Sequence, residues 1–151
     1  MKIVLDYTEC LKYLPTLRTK DRTTIPTGEW NYTISSDYGA LTTIGPFNCM
    51  LIAVLVDGNR PGILTHSEYH LLHRNLSDIE GIIGRPRPRS DVAALYRSAT
   101  ASETIDELRK GLDYLFPDSQ IELQSFQRTI DFGCLDVEEK TLFAFEQQPE
   151  Q

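Results

Sequence analysis

The chain has 151 residues, 40% of them hydrophobic, with 15 Lys and Arg against 22 Asp and Glu and a formal charge of −7. That length predicts one domain, 1–151, with a single core that needs neither disulfides nor a structural metal. The acidic balance argues against a general nucleic-acid binder, which needs a cationic face to neutralise phosphates, and the excess lies after residue 75, with fifteen acids against eight bases.

No apolar run approaches the roughly 20 residues that span a bilayer, so no membrane insertion is expected. The N-terminus MKIVLDYTEC has an acid where a signal peptide would stay apolar, and a cytoplasmic protein is expected. Residues 7–14 repeat apolar positions at helical spacing through Tyr7, Leu11 and Leu14, which predicts a short helix stopped by Pro15. Residues 15–28, rich in Thr, Pro and charge, read as an irregular connection. Residues 29–35 place Trp30, Tyr32 and Ile34 on one face, the period of a half-buried strand. A turn at 35–39 leads into an extended segment from Ala40 to Ile44, which Gly45-Pro46 breaks. Met50–Val56 is continuously apolar, as a central strand buried on both faces should be. Asp57-Gly58-Asn59 is a tight-turn signal and Gly62–Thr65 is extended again, so 49–66 reads as a β-hairpin.

Beyond the hairpin, Glu68–Leu76 reads as helical, 81–90 as a loop because proline alternates with arginine, and 91–99 as a second helix. Thr100-x-x-Glu103 has the spacing of a capping box, and Ile105, Leu108, Leu112 and Leu115 form the stripe of a helix over 103–116, ended by Pro117. Strands follow at about 120–132 and 140–146, with a turn near Gly133, and QQPEQ reads as a frayed end. The strand at 50–56 and the helix at 103–116 need each other's cover, so the expected fold class is α/β, a mixed β-sheet or sandwich with helices packed against it.

Closing the hairpin on its turn brings Cys49, at the start of one strand, across from the segment that contains His66. A thiol becomes a useful nucleophile when a neighbouring imidazole takes its proton, so these two groups at one sheet edge are candidate catalytic residues. Gly45-Pro46-Phe47-Asn48 reads as a turn whose backbone N–H groups could meet an oxyanion, and Thr43, at the end of the preceding strand, could hold the imidazole plane. On the residues alone the alternatives stay open: a cysteine opening an apolar strand is commonly a small buried hydrophobe, and a histidine at a strand end a surface residue.

The stretch GEW-x-x-T-I at 28–34, then L-T-T-I-G at 41–45, Cys49, Asp57 and G-x-x-x-H at 62–66, resembles the CheD family of chemoreceptor glutamine deamidases and their structural relatives, the catalytic domains of cytotoxic necrotizing factor toxins. In that family a Thr lies six residues before the nucleophilic Cys and the His seventeen after it, the intervals of Thr43, Cys49 and His66. The pattern can be followed over about residues 25–70. Where the family has a small-residue Gly-Ser-Cys turn this chain has Phe47-Asn48-Cys49, and the family's later glycine-rich segment has no counterpart at Gly81–Gly84. The resemblance implies a CheD-like domain, and a hydrolase that converts a glutamine side chain of a chemoreceptor or other signalling protein to glutamate and ammonia through a thioester. Cys49 would be the nucleophile, His66 the base and then the acid, and Thr43 the orienting group. No metal or organic cofactor is implied. Two other readings stand beside it: a binding module that keeps the fold without activity, and another small cysteine amidase or peptidase.

His66, His70 and His73 have spacings that would share a helix face and could bind zinc, but His66 belongs to a strand end, and solvated His70 and His73 are expected. The Arg85-Pro-Arg-Pro-Arg89 segment reads as a solvated cationic loop that could instead dock an acidic partner. Trp30, Phe143 and Phe145 read as core. Cys10, Cys49 and Cys134 form an odd, scattered set without a CxxC pair, which indicates neither a disulfide framework nor a zinc finger, and Cys10 and Cys134 read as structural.

Overall fold

In the computed structural model the described residues are 1–85 and 87–149. In chain order they form β1 (Lys2–Val4), α1 (Tyr7–Leu17), β2 (Arg22–Thr24), β3 (Tyr32–Ser36), β4 (Ala40–Phe47), β5 (Met50–Leu55), β6 (Gly62–Ser67), α2 (Leu72–Ile83), β7 (Asp91–Arg97), α3 (Ser102–Leu115), β8 (Gln120–Phe126), β9 (Ile130–Asp136) and β10 (Thr141–Glu146). One-turn 3-10 segments cover Val56–Gly58 and Tyr69–Leu71. The strands make two mixed sheets, β1-β10-β9-β4-β2 and β3-β6-β5-β7-β8. The fold is therefore α/β, as composition and pattern predict.

The predicted hairpin organises the second sheet. β5, buried at every residue, pairs antiparallel with β6 on one side and β7 on the other. Its odd residues Leu51, Ala53 and Leu55 meet Leu41, Leu135 and Leu142 of the first sheet. Its even residues Met50, Ile52 and Val54 meet Leu72, Leu76 and Ile79 of α2 and Leu108, Leu112 and Leu115 of α3. On the far side of the first sheet, Cys10, Tyr13 and Leu17 of α1 pack on Cys134, Phe143 and Phe145. Four layers result, helix, sheet, sheet and helices, with the largest core between the sheets.

Several elements depart from the sequence reading. Residues 91–97 are a strand, not a helix: Val92-Ala-Ala-Leu95 is wholly buried between β5 and β8, and a short apolar run covered on both faces has no alternation to distinguish it. α1 runs through Pro15 to Leu17, because burial of Leu17 beside Cys10 and Tyr13 offsets the one backbone bond that proline cannot make. Residues 22–24 pair parallel with β4, so 15–28 is not wholly irregular. α2 includes Gly81–Ile83, since Ile83 continues the stripe of Leu72, Leu76 and Ile79. α3 has Ala101 at its N-cap with no side-chain bond, and Thr100 Oγ1 is buried without a partner among the described residues, so the capping box does not form.

Gly45-Pro46 does not break β4, which passes through a register shift between Ile44 and Phe47. A Cβ on Gly45 would collide with the Ile130 carbonyl oxygen, so glycine is what lets β4 approach β9 there. Gly133 lies within β9 and not in a turn; its missing side chain leaves room for Leu51 and Thr43, whose carbons would be 2.9 and 3.1 Å from a Cβ. Arg87 is not solvated: its guanidinium pairs with Glu80 and lies 4.6 Å over the Tyr114 ring. Pro86 of the same Arg-Pro segment, and Glu150 and Gln151 of the predicted frayed end, lie outside the described residues. No helix among the described residues is long and apolar enough to cross a membrane.

Candidate active site

β5 and β6 pair with Met50 opposite Ser67 and Leu51 opposite His66. Side chains alternate along a strand, so His66 and Leu64 share the inner face that meets the first sheet. There the His66 ring meets β4: Thr43 Oγ1 and His66 Nδ1 are 3.3 Å apart, a hydrogen bond that joins the two sheets. Thr43 is not at the end of its strand but in the middle of β4, and it reaches His66 because Gly133, its neighbour on β9, has no side chain to push it aside.

His66 is fully buried. Phe47 lies 4.3 Å from it and Trp30 4.9 Å, centroid to centroid. Burial drives its pKa down from 6.5 to about 4, so the ring is neutral at pH 7. Its Nε2 is buried with no hydrogen-bond partner among the described residues, which is costly unless something else meets that atom. Phe47 is thus part of the wall around the imidazole.

Cys49 stands one residue before β5, half-buried, while Cys10 and Cys134 are fully buried. Desolvation first, then the charge of Glu68, push its thiol up to about 11, against a lowering by the backbone N–H of Asn48. Cys49 and His66 are therefore both neutral, with no preformed thiolate–imidazolium pair. The loop before Cys49 is not the predicted turn of convergent N–H groups, because Gly45 to Phe47 belong to β4 and Pro46 has no N–H.

Residues that sequence reasoning missed hold this loop. Tyr69 donates its hydroxyl proton to the Asn48 carbonyl at 2.8 Å and accepts from the Arg97 N–H at 2.9 Å. Thr129 Oγ1 donates to Asn48 Oδ1 at 3.3 Å. Behind them, Asn75 of α2 donates to Ser67 Oγ at 2.8 Å and to Asn31 Oδ1 at 3.0 Å. An asparagine in the apolar stripe of Leu72, Leu76 and Ile79 was the available signal. A polar cleft of about 460 Å³ opens beside Asn48, lined also by Arg97, Gln127, Arg128 and Thr129.

The three histidines do not share a helix face: His66 is in β6, His70 in the 3-10 turn and His73 in α2, with side chains of His70 and His73 71% and 84% exposed. Cys10 Sγ lies 3.6 Å from the carbonyls of Val4 and Ala144, and Cys134 Sγ 3.8 Å from Tyr13 Oη, both inside the core under α1. A scan of protein-family models gives no match for this sequence, and a search of curated proteins gives none either.

Proposed function

We propose that the protein is a cysteine-dependent protein glutamine deamidase, with Cys49 as nucleophile, His66 as base and acid, and Thr43 as the residue that orients His66. The observation that carries this is the Thr43–His66 hydrogen bond between the sheets, which leaves a buried Nε2 unpartnered on the sheet face whose edge bears the half-exposed Cys49. With Nδ1–H donated to Thr43 Oγ1, the free lone pair is on Nε2, the tautomer that a base needs.

In this reading the Cys49 thiol gives its proton to His66 Nε2 as sulfur bonds to the carboxamide carbon and the carbonyl oxygen takes the negative charge. The imidazolium returns that proton to nitrogen, the C–N bond breaks and ammonia leaves a thioester. Water then adds with loss of a proton to Nε2, the C–S bond breaks, and sulfur recovers the proton as glutamate departs. A neutral thiol and a neutral imidazole suit this concerted base role, and the approach of Sγ to Nε2 belongs to the substrate complex, where catalytic hydrogen bonds commonly tighten. The cleft beside Asn48, with Arg97 and Arg128, supports a protein surface as substrate. A cytoplasmic setting suits three unpaired cysteines.

The test uses the cytoplasmic helical domain of a chemoreceptor as probe. A gain of about 1 Da at a glutamine, with ammonia released, is expected from the wild type and not from Cys49→Ser or His66→Ala. Backbone cleavage instead would assign a peptidase. A second reading, a binding module without activity, is favoured by the Phe47 ring against a fully buried His66. It would be chosen by equal, slow alkylation of all three thiols together with no ammonia.

A further inference from the structure

Glu68 stands one residue beyond the last paired position of β6, as Cys49 stands one residue before its partner Met50 on β5. Its carboxylate is held: Oε1 accepts from Asn31 Nδ2 at 2.7 Å, and the Glu68 backbone N–H donates to Asn31 Oδ1 at 3.0 Å. Asn31 is fixed in turn by the fully buried Asn75, which also grips Ser67. Side chains from the segment before β3, from β6 and from α2 thus fix one carboxylate at the end of β6, across the hairpin from the position of Cys49. The other oxygen, Oε2, lies 3.8 Å from Nδ1 of the exposed His70 and accepts no hydrogen bond among the described residues.

A carboxylate at this position works against a thiolate, and its charge contributes to the high pKa of Cys49. Activation of sulfur is therefore not its role. A carboxylate is an acceptor only, and a primary carboxamide carries two N–H donors where its hydrolysis product carries negative charge. We propose that Glu68 accepts the N–H groups of a primary carboxamide presented to Cys49 and repels the carboxylate formed from it, so that the site takes in glutamine and expels glutamate. This deepens the deamidase reading and rests on it for the reaction, but the recognition can be measured without turnover.

The experiment alkylates Cys49 in the whole protein with 2-chloroacetamide, N,N-dimethyl-2-chloroacetamide and chloroacetate, read by peptide mass spectrometry, each rate divided by that for free N-acetylcysteine. In the wild type, chloroacetamide should lead its dimethyl derivative, which has no N–H, by about tenfold, and chloroacetate should be slower still, from the strength of hydrogen bonds to charged groups. Glu68→Ala should bring both ratios to within about twofold of the free thiol. Asn31→Ala, which keeps the charge and frees the side chain, should lose the preference for N–H groups while still disfavouring chloroacetate. Ratios unchanged in Glu68→Ala would overturn the proposal. Ammonia release from the chemoreceptor domain is measured in parallel. Selectivity without ammonia leaves Glu68 as an amide-recognition group and removes the deamidase reading, whereas ammonia without selectivity removes the role of Glu68 alone.

Discussion

Two clusters of buried polar side chains lie in different layers of the molecule. Under α1, the fully buried Asp136 accepts from Tyr13 Oη, from Lys20 Nζ at 2.7 Å to one oxygen and 2.9 Å to the other, and from the Glu139 N–H at 2.8 Å. Elsewhere, Thr43 bonds His66 between the sheets and Asn75, Asn31 and the partly exposed Glu68 are linked behind the hairpin, yet His66 Nε2 and Asn75 Oδ1 are buried without partners among the described residues. A buried ionic group with every lone pair met staples the helix to its sheet. A buried base with a lone pair left over costs stability, and such a group is a candidate for chemistry.

The comparison breaks most sharply at Asp136. Asp136→Ala would leave Lys20 and Tyr13 without their partner and should cost about 3–5 kcal/mol in urea unfolding, the range for removing one member of a buried pair, with Cys49 alkylation unchanged in the native protein. Acid comes next. Because burial lowers the folded pKa of His66 from 6.5 to about 4, the unfolded chain binds the extra proton between those values, and stability falls as pH drops from 6.5 towards 4. The loss should approach about 3 kcal/mol and be absent from His66→Asn, as unfolding midpoints across that pH range would record.

Thr43→Val keeps the shape and removes the bond to His66. It should cost about 1 kcal/mol of stability but lower the proposed deamidation, measured on the chemoreceptor domain, by about tenfold or more, chiefly in kcat, since the imidazole would lose its fixed plane. An equal kcat would remove Thr43 from the site. The smallest effect is expected at His73, whose exposed ring lies 3.8 Å from Glu107: His73→Ala should change stability by less than about 0.5 kcal/mol. A larger change would mean that solvated pairs contribute as buried ones do.

The sequence by itself determined the hairpin, its central strand and the amphipathic helix α3. Runs of buried apolar residues and Asp57-Gly58-Asn59 are local signals, and hairpin closure places Cys49, just before β5, and His66, near the end of β6, at one end of the hairpin without further information. It also singled out Thr43, from its place on the strand before Cys49 and from a resemblance in spacing, but put it at the strand end and not in the middle of β4. Tertiary structure alone decided that Val92–Leu95 is a strand, because burial on both faces erases the period that separates strand from helix. It alone brought Asn31, Asn75 and the adjacent pair Glu68 and Tyr69 together around the Cys49 loop, since they come from three separate segments and no spacing links them. It also set the neutral state of thiol and imidazole, because desolvation depends on what the rest of the chain packs around a group, and around His66 that includes Phe47 and Trp30.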